Sequence, residues 1–421
     1  MRNLDASDVN TPWQRRGLRA LVTAWLVLSA LSVVTPARAA GEPATAQVLP
    51  SASGKTAAVA DGASAAQAAP VPERVYPSLL PPRQWASAPR VVGKLTAKDI
   101  GLLINVDDPY SVQTGEYYIK ARGLAENQVL RVSLPIKSSL DRDEFDALSA
   151  KVDKFFGDRV QALALSWRLP YAVDCNSITG ALTTGFDSSL CSRSCSPSKP
   201  SRYFGSASTK PYQDYRMRLS MMLAAPSVEA AKALIDRGVK SDGSMGLKGA
   251  LPANVHLVTT SDSVRSVRQN FFPPAGPLPQ VGLNVYLDHT DALKNASRVL
   301  FYLTGRAQVD FLDTIDFLPG ALADHLTSFG GVLDKPHGQM TVLSWIDAGA
   351  TASYGTTSEP CAHWQKFPHP QALVLFYAQG ATAIESYWKS VAWPQQGLFV
   401  GEPLAAPFDR IGRADRSVAR R

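Results

Sequence analysis

The chain has 421 residues, 45% of them hydrophobic and 19% charged, enough apolar material to bury a large core. Its formal net charge of +7 sits at the two ends: residues 1–39 hold five Arg against two Asp, residues 410–421 hold five Arg against one Asp, and residues 40–409 sum to zero. That distribution excludes a nucleic-acid binder, which needs a basic face on its folded domain. The basic tail, residues 409–421, is expected to be a solvated end or to touch anionic headgroups or acidic polysaccharide.

Arg15, Arg16 and Arg19 precede an apolar run from Ala20 to Val34, followed by Ala37-Arg38-Ala39. A basic region, an apolar core and an Ala-x-Ala site are the three parts of a secretory signal. Residues 1–39 therefore read as a signal peptide cleaved after Ala39, and the mature protein as exported, periplasmic or secreted. The apolar run is short of the roughly 20 residues that span a bilayer, and no second run of that length follows it. Residues 40–72 are Ala, Ser, Pro, Gly and Gln with almost no large apolar side chains. Such a segment buries too little surface to offset its chain entropy and reads as a disordered spacer. Residues 73–98 mix prolines with aromatic and branched residues, as in Val71–Trp85, and are expected to lie extended against the folded domain.

From Asp99 strands and helices alternate. Ile100–Val106 is an apolar run suited to a strand buried on both faces, and Asp107-Asp108-Pro109 breaks it. Tyr110–Arg122 has a helical pattern closed by Gly123. A strand over Gln128–Leu134 follows. An amphipathic helix over Asp141–Phe156 has Phe145, Leu148, Val152 and Phe155 on one face. Val160–Trp167 is the third strand. Later strands are expected at Arg216–Leu223, Asn254–Thr259, Leu283–Leu287, Val299–Leu303, Ala348–Ser353 and Gly397–Val400. Helices are expected at Val228–Val239, Ser263–Phe271 and Ala381–Val391. This alternation predicts one α/β domain over residues 99–408, with a mainly parallel sheet covered by helices. A Cys-containing insert, residues 172–211, interrupts it.

The end of the chain is unlike average sequence. Gly-Ala-Thr-Ala occurs at Gly349–Ala352 and again at Gly380–Ala383, with a Gly-Thr-Thr-Ser-Glu-Pro turn at Gly355–Pro360 and Gly-Glu-Pro-Leu at Gly401–Leu404. Near the start, Asn105, Pro109, Ser111, Tyr117-Tyr118, Arg122 and Asn127 fall in the order Asn…Pro-x-Ser…Tyr-Tyr-x-x-x-Arg…Asn. Together these motifs resemble an uncharacterised, exosortase-associated family of exported bacterial proteins. More distantly, the strand-and-helix pattern is similar to gingipain-like, caspase-fold cysteine peptidases. The resemblance implies a caspase-like fold, a three-layer α/β/α sandwich with a mainly parallel sheet.

In the resembling peptidases a His followed by Gly ends one strand and a Cys ends the next. The His keeps the thiolate formed and returns a proton to the leaving amine. Here the corresponding strand, Val299–Leu303, ends in Thr304-Gly305 without a His, and no Cys lies between Cys195 and Cys361. The nearest polar cluster holds His325, Ser328 and Gly330-Gly331, so His325 and Ser328 are the catalytic candidates. Ser328 has neither a Gly-x-Ser-x-Gly elbow nor an assigned acid.

A ligand is expected at the carboxyl ends of the strands. Asp107 and Asp108 lie in such a loop. Ser111 there is expected to cap the following helix, and the two carboxylates are too few for a good Ca²⁺ site. Glu359 is expected to join the same cleft or to brace its turn. Glu359, Cys361 and His363 are metal-capable, but no paired motif completes a four-ligand set, so no metal or other cofactor is implied.

Four cysteines in an exported chain suggest disulfides, with three possible pairings. Cys175, Cys191 and Cys195 lie in the insert. Cys361 follows a strand expected to end at the same sheet edge as the strand before the insert. On that placement Cys175 pairs with Cys191, and Cys195 with Cys361, the insert folding over the Glu359 edge.

The expectation is an exported, envelope-associated, non-catalytic scaffold that binds protein or polysaccharide. The alternatives are a peptidase-like hydrolase with a displaced nucleophile near Ser328, or a metal-dependent enzyme using Glu359, Cys361 and His363.

Overall fold

The run at Ile100–Asn105 forms a strand with all six residues buried, as a segment covered on both faces must. It belongs to a computed structural model that describes residues 83–247, 249–334 and 337–409. The signal peptide, the spacer, residues 73–82 and the tail from Arg410 lie outside the described residues.

The strands, in chain order, are β1 (Ile100–Asn105), β2 (Val129–Val132), β3 (Ser139–Leu140), β4 (Ala162–Leu165), β5 (Ala172–Val173), β6 (Asn176–Ser177), β7 (Leu219–Met222), β8 (Ala253–Thr259), β9 (Gly276–Leu278), β10 (Leu283–His289), β11 (Val299–Thr304), β12 (Phe317–His325), β13 (Ala352–Thr356) and β14 (Gly397–Gly401). Eleven form one sheet, ordered β2-β1-β4-β7-β14-β13-β12-β11-β8-β10-β9, while β3, β5 and β6 form a small second sheet. Every neighbouring pair in the large sheet is parallel except β13 with β14 and β10 with β9. The expected mainly parallel, helix-covered α/β architecture is present.

Alternate strand residues feed two cores, one on each side of the sheet. Leu102, Ile104 and Ala164 pack with Tyr118, Leu373, Tyr377 and Tyr387. Leu103, Leu163 and Leu165 pack with Phe145, Leu148, Ile178 and Val342. Helices thus cover both faces in three layers. The helix Arg142–Phe156 starts with a reciprocal capping box between Asp141 and Glu144. The helix Pro109–Arg122 ends at Gly123, whose φ of 64° suits a residue without a Cβ. Residues 83–98 run along the domain without regular structure until Ala97. Val91 N–H donates to Gln379 Oε1 (2.8 Å) and Leu95 N–H to Glu385 Oε2 (3.1 Å).

The sheet contains a relationship that strand alternation could not reveal. In chain order, β1, β2, β4 and β7 lie second-first-third-fourth across the sheet, and β8, β10, β11 and β12 repeat that order. The two halves meet where β14 runs parallel to β7 but antiparallel to β13. Their carboxyl ends therefore lie at opposite edges. This corrects the expectation that Asp107, Asp108 and Glu359 share one cleft: β1 and β13 end on opposite sides.

It also corrects the route of the insert. β4 does not end beside β13. The chain doubles back, with Ser177 N–H donating to Gln395 O (3.0 Å) just before β14, and the helix Ile178–Thr184 packs on β7 and β14. That return carries the insert to the edge where β13 ends.

Several elements also differ from the expectation. The strand expected at Ala348–Ser353 begins at Ala352, because a helix occupies Val342–Asp347. The nine-residue β12 and the helix Pro370–Ala378 were not expected from the sequence.

Candidate functional site

At the carboxyl ends of β12 and β13 lies a cavity of about 280 Å³ whose polar wall comes from Arg265, Thr327, Ser328 and Glu359, with Cys361 at its side. Arg265 is the first residue of the 3₁₀ helix Arg265–Phe271. Its Nη1 pairs with Asp262 (2.7 Å) and its Nε donates to Thr327 Oγ1 (3.3 Å). Glu359 Oε1 accepts the Cys361 N–H (2.7 Å), and Gln396 Nε2 donates to the Glu359 carbonyl (3.0 Å). Glu359 thus braces its own turn while lining the cavity.

Cys361 is bonded to Cys195, with Cα atoms 5.2 Å apart, and Cys175 is bonded to Cys191. Cys361 is therefore unavailable as a thiolate ligand or nucleophile. No group of three His, Cys, Asp or Glu side chains suited to a metal gathers among the described residues, and His363 instead packs edge-on against Trp393. Below the turn, Lys366 is fully buried and donates from Nζ to the Ser194 carbonyl (2.6 Å). Burial pulls its ammonium down to about 8, against the attraction of Glu359.

His325 does not face this cavity. It ends β12 fully buried, with Trp345 Nε1–H donating to Nδ1 (2.9 Å) and Nε2 against the Met340 carbonyl (3.0 Å). An Nδ1 that accepts places the proton on Nε2, so both nitrogens are engaged. Burial holds the imidazole down at about 4. It is a neutral core residue, not a base poised for Ser328.

Beside it, fully buried Asp324 forms an ion pair with Arg268 (2.6 Å), and Arg268 Nη2 donates to the Thr304 carbonyl (2.6 Å). Burial pushes the Asp324 carboxyl up to about 6 in spite of the guanidinium. Arg268 therefore fills the end of β11. Gly305, next in the chain, has its own reason to be glycine: a Cβ there would lie 1.9 Å from the Arg265 carbonyl oxygen.

The other candidates lie at the opposite edge. Asp108, not Ser111, caps the helix Pro109–Arg122, accepting the Tyr110 N–H (3.0 Å). Ser111 sits inside the first turn, where its Oγ accepts the Asn105 N–H (2.8 Å) and pairs with Ser166 Oγ (2.9 Å). Asp107 accepts from Ser133 Oγ. These groups tie β1 to its neighbours, and none reaches the cavity. Arg265, Arg268, Asp324 and Thr327 were missed in the sequence. The only signal was the Arg-x-x-Arg spacing on a predicted helix.

No protein-family model and no curated protein matches this chain. Among solved structures, the Arg-specific cysteine proteinase gingipain R matches with a TM-score of 0.36 at 9% sequence identity, covering 74% of this chain and 78% of that one. No helix among the described residues is long and apolar enough to cross a membrane.

Proposed function

We propose that this protein is an exported, non-catalytic α/β scaffold of caspase-like fold, which works by binding an envelope protein or polysaccharide. One observation carries the reading. A caspase-type dyad needs His and Cys at the ends of two adjacent parallel strands, with the His free to exchange a proton. The adjacent parallel strands β11 and β12 end instead in Thr304-Gly305 and in His325-Leu326-Thr327-Ser328. Arg268 bridges the two strand ends, paired with Asp324 and donating to the Thr304 carbonyl, and His325 is sealed between Trp345 and Met340. Support for export comes from the two disulfides, which persist in oxidising compartments.

The test is chemical. The purified protein should remain unlabelled by a fluorophosphonate, and it should not cleave a mixed peptide library. Stoichiometric labelling at Ser328 that disappears in Ser328→Ala would replace this reading with a hydrolase built on the small cavity.

A further inference from the structure

A polar concavity also lies away from the strand ends. A groove of about 540 Å³ runs between the helix Arg142–Phe156 and the disulfide-stapled insert, with the short helix Pro211–Tyr215 closing one side. That volume lies within the range typical of small-ligand sites. Five cations line it against two carboxylates, in a domain whose residues 40–409 carry no net charge. The excess is therefore local to this groove.

Three of the cations have partners: Arg142 with Asp146 (2.7 Å), Arg218 with Asp153 (2.8 Å) and Arg216 with Asp158 (2.8 Å). The remaining two, Lys199 and Arg202, are exposed and have no carboxylate partner among the described residues. Both stand on the insert wall. The insert is pinned there by Cys175–Cys191 at one end and Cys195–Cys361 just before Lys199.

Tyrosine rings back the guanidiniums. Arg202 lies over Tyr215 (5.3 Å to the ring centre), and buried Arg218 lies over Tyr212 (3.9 Å). Such stacking fixes the planar groups, so that less side-chain freedom is lost when an anion binds. Ser149 adds a hydroxyl to the wall formed by the helix Arg142–Phe156. Fixed cations, ring edges and a hydroxyl in one open trough match a chain of sugar rings bearing carboxylates. An extended polyanion such as a duplex would need a broader basic face than a single groove.

We propose that this groove binds an acidic saccharide chain, with Lys199 and Arg202 holding its carboxylates. The inference deepens the binding-scaffold reading and rests on it.

The experiment is calorimetric titration of the full-length, oxidised protein with tri-galacturonate, alongside maltotriose and a hexaglutamate peptide. Expected are saturable binding of tri-galacturonate that weakens with salt, no binding of maltotriose, and at most weak binding of the peptide. The Lys199→Ala/Arg202→Ala variant should bind at least ~10-fold more weakly, as loss of two charged contacts implies. Both positions are exposed, so its melting temperature should stay unchanged. The inference is overturned by no binding of tri-galacturonate, by equal affinity in the double variant, by equal binding of maltotriose, or by tighter binding of the peptide. None of these results bears on Ser328 labelling, so failure here is separable from failure of the non-catalytic reading.

Discussion

Arg122 and Glu402 stand 280 residues apart in the chain and meet in a two-pronged ion pair, Nε to Oε1 at 2.9 Å and Nη2 to Oε2 at 2.5 Å. Tyr118 Oη donates to the same carboxylate (3.0 Å), and Arg122 Nη1 reaches Asp242 (2.6 Å). The Tyr-Tyr-x-x-x-Arg motif of the first helix and the closing Gly-Glu-Pro motif are therefore two halves of one buried contact. Their distinctive composition serves assembly of the fold. Glu402→Ala leaves a buried guanidinium with only the partly exposed Asp242. The expected loss is roughly 3–5 kcal/mol of stability by denaturant unfolding, with Tyr118→Phe costing about 1 kcal/mol. A loss below 1 kcal/mol for Glu402→Ala would show that the pair is not holding the two ends together.

What the sequence made legible, and what it hid, follows from where polar residues lie. The runs at Ile100–Ile104 and Val299–Leu303 are apolar throughout, and Asp141 with Glu144 marks a helix start, so these elements could be read directly. β12 reads as a loop because Phe317–His325 contains Pro319, Gly320, Asp324 and His325. Its two ionisable residues are tolerated in a central strand only because Arg268 and Trp345 meet them, and both partners are distant in sequence. The helix Pro370–Ala378 is buried nearly all round and so shows no amphipathic period. The antiparallel join of β13 to β14 leaves no local mark, which is why the Asp107 loop and Glu359 were assigned to one edge. The cysteine pairing was reachable despite that error, because the insert's return over the sheet compensates for the wrong edge.

Asp324 and His325 make opposite contributions to acid stability. His325 is held down at about 4 against an ordinary value near 6.5, so the unfolded chain takes up its proton first and stability falls as pH drops from about 6.5 to 4. Asp324 is pushed up to about 6, so the folded chain takes up its proton first and stability rises as pH drops from about 6 to 4. In the intact protein the two slopes oppose one another. Relative to the unsubstituted protein, Asp324→Asn should lose stability more steeply between pH 6.5 and 4, whereas His325→Gln should lose it less steeply over pH 6 to 4. Unfolding curves of each variant across that range check this, and parallel pH profiles for the two variants would contradict it.

Gly355 seats the loop that walls the strand-end cavity. A Cβ at this position would lie 2.5 Å from the Gly330 carbonyl carbon and 2.6 Å from the Gly331 nitrogen, atoms of a rigid backbone. Gly355→Ala should therefore cost about 1–3 kcal/mol through forced backbone shifts. Gly338→Ala serves as the comparison, since its Cβ would meet open space and only its positive φ is strained. Thermal unfolding of the two variants should separate them, with Gly355→Ala the more damaging.

The two disulfides should differ in weight. Cys195–Cys361 closes a loop of 166 residues and Cys175–Cys191 one of 16. In the chain-entropy account, removing the long-range bond costs about 5 kcal/mol and the short one about 3 kcal/mol, through freedom returned to the unfolded chain. The folded state adds a local difference. The long-range bond anchors the Glu359–Cys361 turn, whose backbone Glu359 and Gln396 already brace, while the short bond holds only the insert together. Cys195→Ser/Cys361→Ser should thus lower the unfolding midpoint more than Cys175→Ser/Cys191→Ser. The short-bond variant, by contrast, should become more sensitive to proteolysis between residues 185 and 200 while the domain melts as one unit. Equal midpoints for the two double variants would mean that the unfolded chain is already compact across the 166-residue loop, and that the bond between Cys195 and Cys361 adds only local order at the strand ends.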